Sequence, residues 1–84
     1  MFIHLGGDIV VRSADVITIL DSHAKSSKIT RQFIETADAE GRLVTFGNEE
    51  CKSYVITKDN VYMSPISSLT LKRRANFVSS LESR

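Results

Sequence analysis

Short apolar runs broken by glycine and small polar residues open the chain. Phe2–Leu5 reads as a first strand, Gly6-Gly7-Asp8 as a turn, and Ile9–Val11 as a second extended run. In Arg12-Ser13-Ala14-Asp15, Ser13 and Asp15 are able to bond their own backbone, which predicts another turn. Val16–Leu20, VITIL, is rich in β-branched residues and almost wholly apolar, the pattern of a buried central strand.

The period then changes. Ile29, Phe33, Ile34 and Ala37 recur at i, i+4, i+5 and i+8, which is one face of a helix. Ser26 or Ser27 can accept from its first free N–H groups, and Gly41 suits a left-handed stop. Arg31 and Glu35 lie four apart on this helix and can pair. Arg42–Phe46 returns to strand character and runs into the polar loop GNEECK. The segments SYVIT and NVYMS predict a hairpin with Asp59-Asn60 near its tip. Pro65 cannot donate to a sheet and ends the last strand. Beyond it Ser67 or Ser68 can cap a second amphipathic helix, whose apolar residues are Leu71, Ala75, Val78 and Leu81. The order β-β-β-α-β-β-β-α describes an α+β fold with a mainly antiparallel sheet, spanning residues 1–84 as one domain.

Size makes association attractive. A chain of 84 residues has room for one small core, and a domain of that size buries only about 60% of the surface its unfolded chain exposes. One cysteine, Cys51, excludes an internal disulfide, and with His4 and His23 it falls short of a structural zinc set. Self-association is therefore the expected remedy, with no metal and no cofactor. No apolar run approaches the roughly 20 residues of a membrane helix. The start MFIHLGGDIVV has no basic leader, so a reducing, cytoplasmic setting is expected.

Charge is segregated although the net charge is only +1. Lys25, Lys28 and Arg31 form a positive stretch. Residues 35–50 hold five acids against Arg42, and residues 66–84 hold four bases against Glu82. Such a chain can carry basic and acidic faces that bind an acidic partner or each other. Lys72, Arg73 and Arg74 fall at the start of the second helix, where cations oppose the positive end of the helix dipole. With Arg12 they are the candidates for contacting nucleic-acid phosphates. A solvated helix face, or pairing with the acidic segment of a neighbour, explains them equally well.

Catalytic chemistry finds no footing. Asp21-Ser22-His23 are adjacent, whereas triads assemble from distant positions. Gly6-Gly7 lacks the Lys-Ser/Thr of a phosphate loop. Cys51 reads as an exposed loop thiol, and His4 as a half-buried packing residue of the first strand. No enzyme activity and no small-molecule substrate are expected.

IHLGGDIVV, DVITIL, ITRQFIETADAEGRLV and YMSPISSLTLKRRANF together resemble the RemA/RemB family of bacterial extracellular-matrix (biofilm) regulators. The closing SP-SS-TLK-RA pattern is closer to the RemB branch. The resemblance implies a ring-shaped homo-oligomer that regulates matrix-gene transcription by binding DNA through arginines repeated on each subunit. It also implies that those arginines match Asp15 in one turn, and Asn48 and Glu49 after Thr45-Phe46-Gly47, so that the family's phosphate contacts are replaced here. Arg12, Lys72, Arg73 and Arg74 then carry the DNA-binding expectation, and Lys52 is a further loop base. The rival expectation is an oligomeric module of the same fold that binds no DNA and acts on a partner regulator.

Overall fold

The computed structural model describes the backbone of residues 1–82 and the side chains of residues 1–75. The strands are β1 (Phe2–Gly6), β2 (Ile9–Arg12), β3 (Val16–Asp21), β4 (Leu43–Val44), β5 (Ser53–Thr57) and β6 (Val61–Ser64), and the helices are α1 (Lys28–Ala39) and α2 (Ser68–Glu82). The α+β class and the element order follow the sequence pattern. β1 and β2 form a separate antiparallel ribbon, while the other strands make a four-stranded sheet in the order β3-β5-β6-β4. Only β4, beside β6, runs parallel to its neighbour.

Three layers result. Alternate residues of a strand face opposite ways, and each side of the four-stranded sheet has its own cover. On one side Ile19 of β3 and Val55 of β5 pack with Ile3, Leu5 and Val11 of the ribbon and with Leu71 of α2. On the other, Tyr54 of β5 and Val61 of β6 pack with Ile34 and Ala37 of α1. The sheet is thus the middle layer, α1 covers one face, and the ribbon together with α2 covers the other.

Polar ties hold the ribbon layer down. Ser64, fully buried, donates its hydroxyl to the carbonyl of Leu5 and accepts from the Ile66 N–H. Ser53, equally buried, donates to the Ile66 carbonyl at 2.7 Å. The two serines face each other across β5 and β6, so they fasten β1 and the approach to α2 to the same spot on the sheet. Gly6 sits above them with φ +127°, and a Cβ there would lie 2.8 Å from the Pro65 ring. That close approach, as much as the backbone angle, requires glycine.

Both helix starts lie where the capping residues predict, with different chemistry. Ser67 caps α2, its hydroxyl accepting from the Thr70 N–H and donating to the Thr70 hydroxyl. Ser27 caps α1 by position, but its hydroxyl makes no cap bond. The β5–β6 turn closes on Thr57, whose N–H and hydroxyl both donate to the carbonyl of Asn60. β6 ends before Pro65, as expected.

Two expectations are corrected. Val16–Leu20 is an edge strand, not a central one: β5 takes the interior position because β6 pairs along its other side, leaving Ile17 at 67% exposure. The strand expected over Arg42–Phe46 shrinks to Leu43–Val44, since the chain turns through Gly47 (φ +60°) and Phe46 packs toward the ribbon instead. In α2, Leu71 and Ala75 face the core as predicted, while Val78 and Leu81 lie outside the described side chains.

Candidate nucleic-acid interface

Helix α2 lies over β3 and β1, and burial of Leu71 fixes its rotation. With Leu71 inward, the next three residues fan outward, and all are exposed. Lys72 lines a cleft of about 400 Å³ between α2 and β3, together with Ser13, Val16 and Ala75. Arg74 turns to the other side of the helix and donates from Nη1 to the His4 carbonyl of β1 at 2.9 Å. Arg73 lies between them. The fan separates the three bases around the helix but keeps them in the ribbon layer.

Arg12 closes β2 in that same layer, paired in register with Phe2. Its guanidinium grips Asp15 through two bonds, Nε to Oδ2 at 3.0 Å and Nη2 to Oδ1 at 3.1 Å. A second cation, Lys58, stands 3.8 Å from Asp15. The hydrogen bond from Arg12 holds the Asp15 carboxyl below its usual range, and the same bond raises Arg12. Asp59 lines the same cleft as Asp15, so two carboxylates stand beside these two cations and the corner is balanced in charge. The structure therefore brings Arg12, Lys72, Arg73 and Arg74 into one layer, with Arg12 and Arg74 already engaged within the chain.

The loop after Phe46 contributes less. Asn48, Glu49 and Glu50 are exposed, and the Glu49 N–H donates to the Phe46 carbonyl at 3.2 Å. Lys52 is also exposed and is tied by its backbone N–H to Ser64. Cys51 is half-buried and not an exposed loop thiol: it donates to the Ser53 carbonyl at 3.3 Å, and burial pushes its pKa up, against reactivity. His4 is likewise corrected. It lies exposed on the outer ribbon face, and its Nε2 donates to the Gly7 carbonyl at 2.8 Å.

Asp21, Ser68 and His23 do meet, in an order that does not fit nucleophilic catalysis. Asp21 accepts from the His23 backbone N–H at 2.9 Å, from His23 Nδ1 at 2.6 Å and from Ser68 Oγ at 3.4 Å. The carboxylate stands between the imidazole and the hydroxyl, so the imidazole does not contact the oxygen that would attack, and the Asp21 contact to it is long at 3.4 Å. These bonds, led by the backbone N–H, lower the Asp21 pKa. Among the described residues no cluster of His, Cys, Asp and Glu is arranged to hold a metal, and no helix is long and apolar enough to cross a membrane.

The sequence pattern points to Arg12, Lys72, Arg73 and Arg74 but not to Lys58 beside Asp15, nor to the partners of Arg12 and Arg74 within the chain. Arg12–Asp15 spans three residues in a turn and is readable in principle. Arg74–His4 joins residues far apart in the chain and has no local signal.

Comparison with known proteins agrees with the resemblance read from the motifs. Residues 2–75 match the family model described as RemA-like, extracellular matrix regulatory protein A-like. Over 83 residues the chain is 41% identical to extracellular matrix regulatory protein B of Bacillus subtilis (strain 168), covering 99% of this chain and 100% of that protein.

Proposed function

The chain belongs to the RemA-like family of extracellular matrix regulatory proteins, and from that premise we propose that it regulates matrix genes by binding DNA as a ring-shaped homo-oligomer. The observation that carries this reading is the placement of Arg12, Lys72, Arg73 and Arg74 in one exposed layer, without an acidic partner for any of the three helix bases among the described residues. Repeated around a ring, a few phosphate contacts per subunit add through effective concentration. DNA curvature then supplies selectivity through the sequence-dependent cost of bending. Asp15, at a position where the family resemblance implies an arginine, is neutralised by Arg12 and Lys58 and opposes phosphate less than its sequence position suggests. The middle sheet also ends in two different edges, β3 and β4, and a head-to-tail ring needs two different mating surfaces on each copy.

A second reading has its own support. The Arg12 fork is committed to Asp15 and Arg74 to His4, which favours an oligomeric module acting on a partner regulator without DNA. Fluorescence anisotropy of a labelled duplex decides between them. The DNA reading expects affinity that falls steeply with salt and is largely lost in a Lys72/Arg73/Arg74 triple-alanine variant of unchanged oligomeric mass. A correctly assembled wild type that binds no duplex at low salt overturns it in favour of the module.

A further inference from the structure

Residues 22–34 carry Lys25, Lys28 and Arg31 and no acid. The DNA-binding reading leaves these bases unused. Lys25 lies in the turn Ser22–Ser26 that leads from β3 into α1, and Lys28 and Arg31 belong to the opening turns of the helix. All three are exposed, and none has an ion-pair partner among the described residues. The carboxylate just before them, Asp21, is engaged by His23 and Ser68. Cations in the opening turns of a helix oppose its dipole, so helix stability gives no account of Lys28 and Arg31.

Packing sets where they point. α1 meets the sheet through Ile34 and Ala37, and at 3.6 residues per turn Lys28 stands about 180° from Ala37. It therefore points away from the sheet. Arg31, three residues on, is its neighbour on the helix surface. Arg12 and the α2 bases lie beyond the opposite face of the sheet, in the layer that Leu71 anchors. The subunit thus carries two basic surfaces with its own sheet between them. A duplex with a persistence length of about 150 bp does not fold back over so small a body, whose extents are 39 × 25 × 22 Å. Filling both surfaces of one subunit takes two separate segments.

We propose that Lys25, Lys28 and Arg31 form a second phosphate-contacting surface, which holds a second duplex segment on the side of the sheet opposite Arg12 and Lys72–Arg74. This rests on the DNA-binding reading and extends it from binding to bridging. Unpaired cations complement a phosphate backbone whatever its bases, so the second surface reads charge and not sequence.

A two-duplex capture assay tests it. One random-sequence duplex is held on beads, the protein is added, and a fluorescent duplex of the same sequence is offered as the second segment. Anisotropy of the fluorescent duplex with protein alone reports simple binding. The main variant is Lys25→Ala/Lys28→Ala/Arg31→Ala, checked for native circular dichroism and unchanged oligomeric mass. Its three sites are exposed and alanine favours helix, so the subunit keeps its fold. Wild type is expected to capture the second duplex at low salt. The triple variant should keep its anisotropy affinity within about threefold, since the two surfaces are distant, while capture falls at least about tenfold with the lost phosphate contacts. Glu35→Lys adds a base one turn beyond Arg31 and should raise capture on the order of tenfold, a gain that misfolding cannot produce. Wild-type capture by the triple variant would overturn the proposal, because the first surface would then suffice for bridging. Equal losses of binding and capture in that variant would also overturn it, by placing the three bases on a single DNA surface. A wild type that binds duplex but captures no second one removes the bridging and leaves the regulator reading standing. A wild type that binds no duplex removes both.

Discussion

The two faces of the four-stranded sheet are covered in opposite styles. On the ribbon and α2 side, Leu5, Val55 and Leu71 are fully buried, and Ser53 and Ser64 bolt the cover to the sheet through hydrogen bonds. On the α1 side, Ile34 and Ala37 are buried, but the cover stops short of the β3 edge and leaves Ile17, Ile29 and Phe33 outside. Buried hydroxyls with satisfied partners specify one docking geometry, whereas an open apolar margin can still take up a neighbour. The tied face holds its cover in one place, while the open face leaves apolar side chains at the surface.

Truncation separates the two most sharply. Leu71→Ala should cost about 2–5 kcal/mol, because a fully buried leucine leaves a cavity, read from the urea midpoint. Ile29→Ala, at 80% exposure, should stay within about 0.5 kcal/mol in dilute protein. Equal losses at both positions would erase the distinction.

The ties come next in size. Ser64→Ala removes the donor to the Leu5 carbonyl and the acceptor of the Ile66 N–H. Leaving buried polar groups unpaired costs about 1–3 kcal/mol each, and hydrogen exchange should report a loosened β1 before any change in α1. A variant as stable as wild type would show that apolar packing alone holds the ribbon.

The helix caps give a smaller and cleaner contrast. Ser67→Ala should lose about 1 kcal/mol of stability with its cap bond. Ser27→Ala should lose only a few tenths, since its hydroxyl makes no cap bond. Thermal melts of the two single variants suffice to rank them.

Acid gives the smallest effect. Asp15 and Asp21 both have folded pKa values below their usual ones, from the Arg12 bond and the His23 N–H respectively. The unfolded chain therefore binds more protons, and stability rises with pH across that window. The contribution is complete above the unfolded carboxylate pKa of about 3.9 and fades as pH falls through the lowered folded values. Asp21 is exposed and Asp15 only partly covered, so the slope should be shallow, and Asp15→Asn should flatten it further in urea titrations at pH 5 and pH 3. An unchanged slope in that variant would remove Asp15 from the account.

Local chemistry was legible where it acts over a few residues. The period over Ile29–Ala37 located α1, Pro65 ended β6, and the Ser67-Ser68 pair marked the start of α2, because each depends only on neighbours within a turn or two. Four bases could be named from sequence for the same reason, and so could the family, from motifs spread over the whole chain. Tertiary structure alone decided that VITIL lies at an edge, since strand order depends on which segment wins β5, and Asp21 meets Ser53 only after the chain has folded back through α1. It alone decided that Arg74 reaches His4. It alone sorted Ile34 from Ile29 on one amphipathic helix, because the two project about 140° apart and only the Ile34 side meets the sheet. Periodicity shows that a residue is apolar and which way it points. How far its cover extends is a property of the packed layers.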